Sequence, residues 1–225
     1  MNNLLVKTMA GFVFLMLVLA LALFIPAGSL SYWQAWVYLA DWAVCVILIT
    51  LYLVKNDREL LAGRVQAGPV AETQRNQKII QGLASLCFIA LFIVPGLDYR
   101  FGWSSIPPVV SLIADGFVAL GFFIVFLTFK ENSYTRATIE VSQGQTVTTS
   151  GPYRFVRHPM YAGASILLIA TPLALGSWIA EIFAVLLILV VAVRLLDEEK
   201  VLKQDLAGYP EYCQQVRYHL IPYVW

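Results

Sequence analysis

The sequence predicts an all-α integral membrane protein that has four transmembrane helices and a C-terminal helical hairpin. Hydrophobic residues make up 60% of the 225 residues and charged residues only 13%, whereas soluble domains are roughly half apolar. Apolar runs recur with about the 20 residues that are needed to cross a hydrocarbon core. The lysines and arginines are concentrated between some of these runs, as they are in multi-pass membrane proteins.

Four apolar runs predict the transmembrane spans, near residues 8–26, 36–54, 79–97 and 109–129. The first run follows Lys7 and ends at PAGS, so it resembles a secretory signal. Its apolar part is too long for such a signal, and we interpret it as an uncleaved span.

The apolar region from Met160 to Val193 is too long for a single helix. It is interrupted by TPLALGSW, in which Pro172, Gly176 and Ser177 are residues that end or break helices. Two short helices that form a hairpin over residues 160–193 are therefore predicted.

The whole chain, 1–225, is predicted to form one domain. No internal repeat or low-complexity segment divides it. Its predicted parts are four spans in 1–129, a linker in 130–159, the hairpin in 160–193 and a tail in 194–225.

The distribution of basic residues predicts which side of the membrane each part faces. The segment between the second and third spans contains five of them, whereas the loop before it has none and the loop after it has only Arg100. Cytoplasmic loops collect lysine and arginine, so this segment, both termini, the linker and the tail are predicted to be cytoplasmic. A hairpin is needed to keep Arg194 on that side. The five residues are Lys55, Arg58, Arg64, Arg75 and Lys78.

The tail is predicted to continue as a helix from the hairpin until AGYP ends it. Leu195, Leu202 and Leu206 share one face at helical spacing. Arg194 and Glu198 are four positions apart, so their side chains are neighbours, while Glu199 points elsewhere. By spacing alone, the Arg194–Glu198 pair also fits an ordinary exposed ion pair.

The segment GPYRFVRHPMYAG contains the strongest candidate site. Pro159 fits the first position of a helix, and Gly163 permits close approach one turn later. Taken alone, Arg157 and His158 fit basic residues that bind lipid phosphates at the membrane interface. The ordered segment favours a second interpretation, in which amides at the helix start and the rings of Tyr153 and Tyr161 hold the carboxylate and ring of a polar cofactor. A carboxylate that faces these groups would bind the cationic end of the cofactor.

Other polar residues give weaker signals. Asp41 and Asp115 lie within predicted spans, where a charge is costly; they either line a substrate path or tie helices together, and we favour the second. Glu181 is expected to be solvated at the outer end of the hairpin. Three cysteines without paired spacing and two histidines predict neither a disulfide nor a metal centre. No nucleic-acid partner is predicted.

The chain resembles the isoprenylcysteine carboxyl methyltransferases and their bacterial and archaeal relatives over roughly residues 130–225. The resemblance rests on TVTTSGPYRFVRHPMYAG, the broken apolar hairpin, DEEKVL, GYPEY and a terminal IP, in that order. It implies an S-adenosylmethionine pocket that is cytoplasmic and lies between the linker and the tail. It also implies a lipophilic or prenylated substrate that enters from the bilayer. The first half of the chain shows no motif of that family.

The resemblance assigns site residues by position. Arg194 matches the residue that holds the substrate carboxylate, which makes it the expected catalytic residue. Cofactor contacts are implied for Gln145, Thr146, Val147, Thr148, Tyr153, His158, Pro159, Met160, Tyr161 and Glu198.

The expected function is therefore the methylation of a carboxylate on a lipid-linked, isoprenylcysteine-like substrate. One alternative is a phospholipid or small-molecule methyltransferase of the same architecture, whose amine or thiol acceptor would need a base near Arg194. A second is a sterol-type reductase, which carries a similar RHP motif but uses NADPH. A third is a lipid-binding or scaffold protein without enzymatic activity.

Overall fold

The computed structural model describes residues 2–65, 75–135, 141 and 144–225, with side chains over 4–64, 82–135, 141 and 144–225. All regular structure in these residues is helical, which confirms the predicted fold class. A short 3₁₀ helix, Gly151–Arg154, lies in the linker. The α-helices are α1 (Asn2–Ala27), α2 (Trp33–Asn56), α3 (Arg58–Val65), α4 (Arg75–Phe101), α5 (Pro108–Glu131), α6 (Pro159–Ala174), α7 (Glu181–Asp205) and α8 (Tyr209–Gln215).

Four of these helices are long and apolar enough to cross a membrane, as predicted. The third span ends further along the chain than expected, because α4 continues past Pro95 to Phe101. Proline is tolerated inside transmembrane helices, where neighbouring groups can satisfy the freed backbone carbonyl. The candidate spans are Leu4–Ala27, Trp33–Asn56, Gly82–Phe101 and Pro108–Glu131.

The C-terminal apolar region forms two antiparallel helices, α6 and α7. The connection between them contains Gly176, whose φ of +77° belongs to the left-handed region that glycine adopts at little cost. Pro172 lies inside α6, so the helix ends two residues after it rather than at it. α7 continues through Arg194 to Asp205 without a break, so the tail begins as part of the hairpin.

Two glycines allow α5 and α6 to pack closely. A Cβ atom on Gly163 would lie 2.8 Å from the carbonyl oxygen of Gly121, and one on Gly121 would lie 2.7 Å from the carbonyl oxygen of Gly163. Real Cβ atoms do not approach backbone oxygens so closely, so both positions require glycine. The contact fixes the start of α6 against α5.

The largest apolar core joins α1, α2, α4, α5, α6 and α7. At the end of the bundle away from the linker, the carboxylate of Asp98 accepts hydrogen bonds from the Ser104 and Ser177 hydroxyls and from the Ser104 amide. These bonds connect the loop before α5 with the loop before α7. Glu181, which was expected to be solvated, is instead half-buried, and one of its carboxylate oxygens is out of contact with solvent.

Candidate functional site

One cavity lies between the linker, the first turn of α6, α7 and α8. It comprises about 840 Å³ of space between protein atoms, including the part that opens to solvent. Every candidate site residue from the sequence analysis lines it, from the linker residues Gln145–Thr148 to Arg194 and Glu198 on α7. The other lining residues are Asn132, Tyr134, Thr135, Arg157, Val201, Leu202, Leu206, Tyr209 and Tyr212.

The start of α6 forms one wall of the cavity. His158 is the N-cap residue, Pro159 is the first helical residue, and the Ala162 amide donates to the His158 carbonyl at 3.0 Å. Backbone amides in the first turn of a helix have no acceptor within that helix. Together with the helix dipole, the amides of Met160 and Tyr161 therefore favour a negatively charged group at this wall.

The hydroxyl group of Tyr161 bonds to both Glu198, the expected cofactor contact, and Arg194, the residue expected to hold the substrate carboxylate. It donates to Glu198 Oε2 at 2.6 Å and accepts from Arg194 Nε at 3.3 Å. The Tyr161 side chain is buried, whereas Arg194 and Glu198 are half-buried. The pair on α7 is thus part of a hydrogen-bonded group within the cavity and is not an ordinary exposed ion pair.

Glu199, to which the sequence analysis gave no role, holds the linker against the tail. Its carboxylate lies 3.1 Å from Arg157 Nη1, 2.8 Å from Lys203 Nζ and 3.4 Å from each of His158 Nε2 and His219 Nε2. Burial alone would raise the pKa of Glu199, but hydrogen bonds from His158, Lys203 and Arg157 outweigh it and lower that pKa. Glu199 is therefore ionised at neutral pH.

Arg157 bonds within the protein, and its side chain is only 10% exposed. Besides Glu199, its guanidinium donates to the carbonyls of Cys213 at 3.0 Å and Val216 at 2.7 Å, which are at the end of α8. Cationic side chains favour the carbonyl end of a helix in this way. The Arg157 amide also donates to the Tyr218 carbonyl at 2.9 Å. The RHP segment and the chain after α8 are therefore held together by side-chain and backbone bonds.

Three buried tyrosines, Tyr153, Tyr209 and Tyr212, also line the cavity. The Tyr212 hydroxyl donates to the Tyr153 carbonyl at 2.8 Å, and Asn132 Nδ2 donates to the Tyr153 hydroxyl at 2.9 Å. The Tyr209 hydroxyl lies 3.4 Å from His158 Nε2. Burial raises the pKa of Tyr153, Tyr209 and Tyr212, so their hydroxyls remain protonated and available as donors.

The two intramembrane aspartates lie outside the cavity. Asp41 Oδ1 is 3.7 Å from Cys45 Sγ on the same helix. Both carboxylate oxygens of Asp115 are buried without a hydrogen-bond partner among the described residues. No hydrogen bond of the described structure therefore supports the expectation that Asp115 ties helices together. Among the described residues, no group of three or more histidine, cysteine or acidic side chains is arranged to hold a metal ion.

Comparisons with known proteins identify the region that builds this cavity. Residues 109–207 match the family model for phospholipid methyltransferases, and this range contains α5, the linker, α6 and α7. The chain is also similar to the Delta(14)-sterol reductase of Mus musculus, with 36% identity over 91 residues. That alignment covers 39% of this chain and 22% of the reductase, so the chain spans less than a quarter of the relative's length. The match to the phospholipid methyltransferase model over residues 109–207 confirms the predicted resemblance at the level of membrane methyltransferases.

Proposed function

We propose that this chain is a membrane methyltransferase that uses S-adenosylmethionine to methylate a carboxylate on a lipid-linked, isoprenylcysteine-like acceptor. The observation that carries the proposal is the arrangement at Tyr161. A cationic side chain suited to the acceptor, Arg194, and an anionic one suited to the donor, Glu198, share that hydroxyl within a single cavity. We also propose that the cavity faces the cytoplasm, because the basic residues of the chain gather at that end.

The residues of the cavity fit S-adenosylmethionine, which carries a carboxylate, an ammonium group, a sulfonium and an aromatic base. The first-turn amides of Met160 and Tyr161 suit the carboxylate. Glu198 suits the positive charge, and the faces of the buried tyrosines suit the base. Gln145–Thr148 line the same cavity and would contact the cofactor there.

When bound, S-adenosylmethionine supplies a methyl group whose bond to sulfur breaks, with its electron pair passing to sulfur, as an acceptor oxygen attacks. An ionised carboxylate needs no general base for that attack. Arg194 would hold the carboxylate through parallel hydrogen bonds and direct one oxygen toward the methyl group. The surrounding side chains would align the reactants and exclude water, which accounts for much of the acceleration expected of such a displacement.

An apolar groove between α2 and α5 supports an acceptor with a hydrocarbon chain. It comprises about 680 Å³ of space, including the part that opens to the surroundings, and Tyr52 and Phe126 form an edge-to-face pair on its wall. Tyr52 and Ile49 also pack on the apolar cluster that contains Phe129 and Met160, and Met160 lines the cavity. The groove is lined by Cys45, Leu48, Ile49, Tyr52, Ala119, Phe122, Phe123 and Phe126.

Two other activities are alternatives. The description of the matching family favours a phospholipid amine acceptor; such an acceptor must lose a proton, and Glu198 or His158 would have to accept it. The similarity to a sterol reductase favours NADPH as cofactor.

The first experiment is a thermal-shift comparison of the purified protein with S-adenosylhomocysteine and with NADPH. A ligand that binds the folded state raises the melting temperature, and we expect that result only with S-adenosylhomocysteine. Labelled S-adenosylmethionine is then incubated with native membrane extract, and the labelled product is identified. A base-labile ester supports the carboxylate acceptor, whereas a base-stable label on a phospholipid headgroup supports the amine alternative. Stabilisation by NADPH alone would overturn the proposal.

A further inference from the structure

We propose that Glu199 is a positioning residue for His158. It holds the proton of the neutral imidazole on Nε2, so that Nδ1 is a hydrogen-bond acceptor in the cavity and receives the ammonium group of S-adenosylmethionine. This inference rests on the proposed function for the identity of the ligand, whereas the tautomer of His158 is a property of the protein without ligand.

The imidazole of His158 contacts a buried carboxylate and also lines the cavity. Its Nε2 atom lies 3.4 Å from Glu199 Oε1, and the two side chains are only 5% and 3% exposed. The ring stacks on that of Tyr161, with centroids 5.8 Å apart, and His158 is among the residues that line the cavity. The ring is therefore packed with its Nε2 atom at the carboxylate.

The charge of Glu199 favours a proton on Nε2. Its carboxylate is ionised and accepts from Lys203 Nζ at 2.8 Å and from Arg157 Nη1 at 3.1 Å. An ionised carboxylate can only accept hydrogen bonds, and it would repel the lone pair of an unprotonated Nε2 at 3.4 Å. One nitrogen of a neutral imidazole carries the proton and the other is an acceptor, and the bond that one nitrogen makes selects the tautomer. A proton on Nε2 thus leaves Nδ1 as the acceptor.

The surroundings of Glu199 also favour the neutral form of His158. Arg157 and Lys203 already supply two positive charges to a single carboxylate. A second proton on the imidazole would add a third positive charge to this buried group, and the other two would repel it. Glu199 therefore needs the His158 ring only as a neutral donor.

The Nδ1 atom of His158 is available to a ligand. The Tyr209 hydroxyl lies 3.4 Å from Nε2, where it can accept from the same N–H group. His158 is the N-cap residue of α6, but its side chain makes no hydrogen bond to an α6 amide. Nδ1 has no hydrogen-bond partner among the described residues, yet it is not one of their buried polar atoms that lack a partner. It therefore borders open space, which for His158 is the cavity.

An acceptor at this position fits the ammonium group of S-adenosylmethionine. That group is attached to the same carbon atom as the carboxylate, for which the first-turn amides of α6 are suited. His158 directly precedes this turn. Nδ1 would accept a hydrogen bond from the ammonium, while Glu198 would supply the negative charge. In the other tautomer, Nδ1–H would be a donor and would repel the ammonium group.

The tautomer can be measured directly, because the chain contains only two histidines, His158 and His219. The protein is produced with ¹⁵N-labelled histidine and a tag without histidine, and it is studied without ligand in nanodiscs at about pH 8, above the ~6.5 of an ordinary histidine. Proton–nitrogen correlation spectra show which ring nitrogen is protonated, and His219→Gln identifies the signals of His158. We expect Nε2 to be protonated and Nδ1 unprotonated. A protonated Nδ1, in the other tautomer or in a doubly protonated ring, would overturn the inference.

The consequence for the ligand is tested with S-adenosylhomocysteine and 5′-methylthioadenosine, which contains the same nucleoside but neither ammonium nor carboxylate. In Glu199→Gln the carboxylate becomes a neutral amide that can also donate to Nε2. This variant should populate the Nδ1–H tautomer and reduce the preference for S-adenosylhomocysteine over 5′-methylthioadenosine by about fivefold or more. Lys203→Met is the matched control, because Lys203 also bonds to Glu199 but does not line the cavity. It should keep the wild-type tautomer, with the preference within about twofold of the wild-type value.

The two measurements separate positioning from a purely structural role. If Glu199 only held the linker to the tail, Glu199→Gln would weaken both ligands alike, and the unchanged preference would overturn the inference. A lower preference with the Nε2–H tautomer retained would be a direct effect of charge and would overturn it as well. The wild-type spectrum decides when Glu199→Gln is too unstable to purify. Because that spectrum needs no ligand, a lack of S-adenosylhomocysteine binding would reject the proposed function, whereas the wrong tautomer would reject this inference alone.

Discussion

The hydroxyl group of Tyr161 donates to Glu198 Oε2 at a distance of 2.6 Å. The two residues are on different helices, α6 and α7, and the same hydroxyl accepts from Arg194 Nε. A single buried phenol therefore sets the orientation of the cation and of the anion proposed to hold the two substrates. The spacing of Arg194 and Glu198 would make them neighbours in any helix. The bonds to Tyr161 orient the two side chains within the cavity.

Removal of the Tyr161 hydroxyl should weaken both substrate sites together. Tyr161→Phe keeps the ring but leaves Glu198 and Arg194 without their shared partner. Hydrogen bonds to charged groups contribute about 1.5–3 kcal/mol, so we expect roughly tenfold or greater losses in cofactor affinity and in kcat/KM for the acceptor. Calorimetry and steady-state kinetics measure the two effects. Tyr99→Phe, at the other end of the bundle, is the control, and equal values for both variants would contradict the role.

Loss of Glu198 should affect the cofactor more than the acceptor. Glu198→Ala removes the carboxylate proposed to face the positive charge of S-adenosylmethionine, so we expect its Kd to rise by about tenfold or more, the effect of roughly 1.4 kcal/mol. The adjacent Asp197 is the matched control, because it lies on the same helix but does not line the cavity and forms an ion pair with Lys200. Unchanged calorimetric affinity in Glu198→Ala would reject the assignment.

Arg194→Lys should reduce turnover and leave cofactor binding nearly intact. Lysine retains the charge but cannot form two parallel hydrogen bonds to a carboxylate. We expect a loss of at least tenfold in kcat/KM for the acceptor, with the Kd for S-adenosylhomocysteine within about twofold of the wild type. Turnover equal to that of the wild type would show that Arg194 does not orient the acceptor.

The candidate site was predictable where the residues are neighbours in sequence, and incompletely predictable where the fold brings them together. Helical spacing placed Arg194 beside Glu198, and the position of Pro159 predicted the start of α6. Spacing could not show that Glu199 would be the buried partner of Arg157, because their contact joins residues 42 positions apart.

The fold was predicted well for a related reason. Each span is coded by a local apolar run, so four spans and a hairpin follow from length and composition. The position of α3 was not predictable, because a short polar helix gives no apolar run and the contact of Arg64 with the Phe129 ring joins residues that are far apart in sequence. The distribution of basic residues predicted which side of the membrane Arg64 faces, but it did not predict which residues Arg64 contacts.

Glu199 should make stability depend on pH in the acidic range. Its pKa is lower in the fold than the ~4.3 of an unfolded glutamate, so the unfolded state binds more protons. Its contribution is therefore present above about pH 4.3 and is lost as pH falls through the folded value. At pH 7, Glu199→Gln should lower the melting temperature, because Arg157 and Lys203 lose their counter-ion. Breaking such a buried pair costs about 3–5 kcal/mol.

The difference between the two melting curves isolates the contribution of Glu199. It should be present above about pH 4.3 and should shrink as pH falls further toward 3, when both proteins are measured in the same detergent. Other carboxylates titrate alike in both proteins and cancel in the difference. If the difference in melting temperature between the two proteins stays constant over this range, the charge of Glu199 does not hold the linker to the tail.

Substitution of Gly163 should destabilise the start of α6 and, through it, the cofactor wall. In Gly163→Ala the new methyl group would lie 2.8 Å from the Gly121 carbonyl oxygen and 3.1 Å from Ile124 Cβ. A backbone oxygen in a packed helix cannot move aside without separating α5 from α6, and overpacking of this kind costs about 1–3 kcal/mol. Gly116→Ala, also on α5, is the control, because no atom lies within 4 Å of the added methyl group. We expect a lower melting temperature and weaker S-adenosylhomocysteine binding only in Gly163→Ala. Equal melting temperatures of the two variants would mean that the close contact does not position α6.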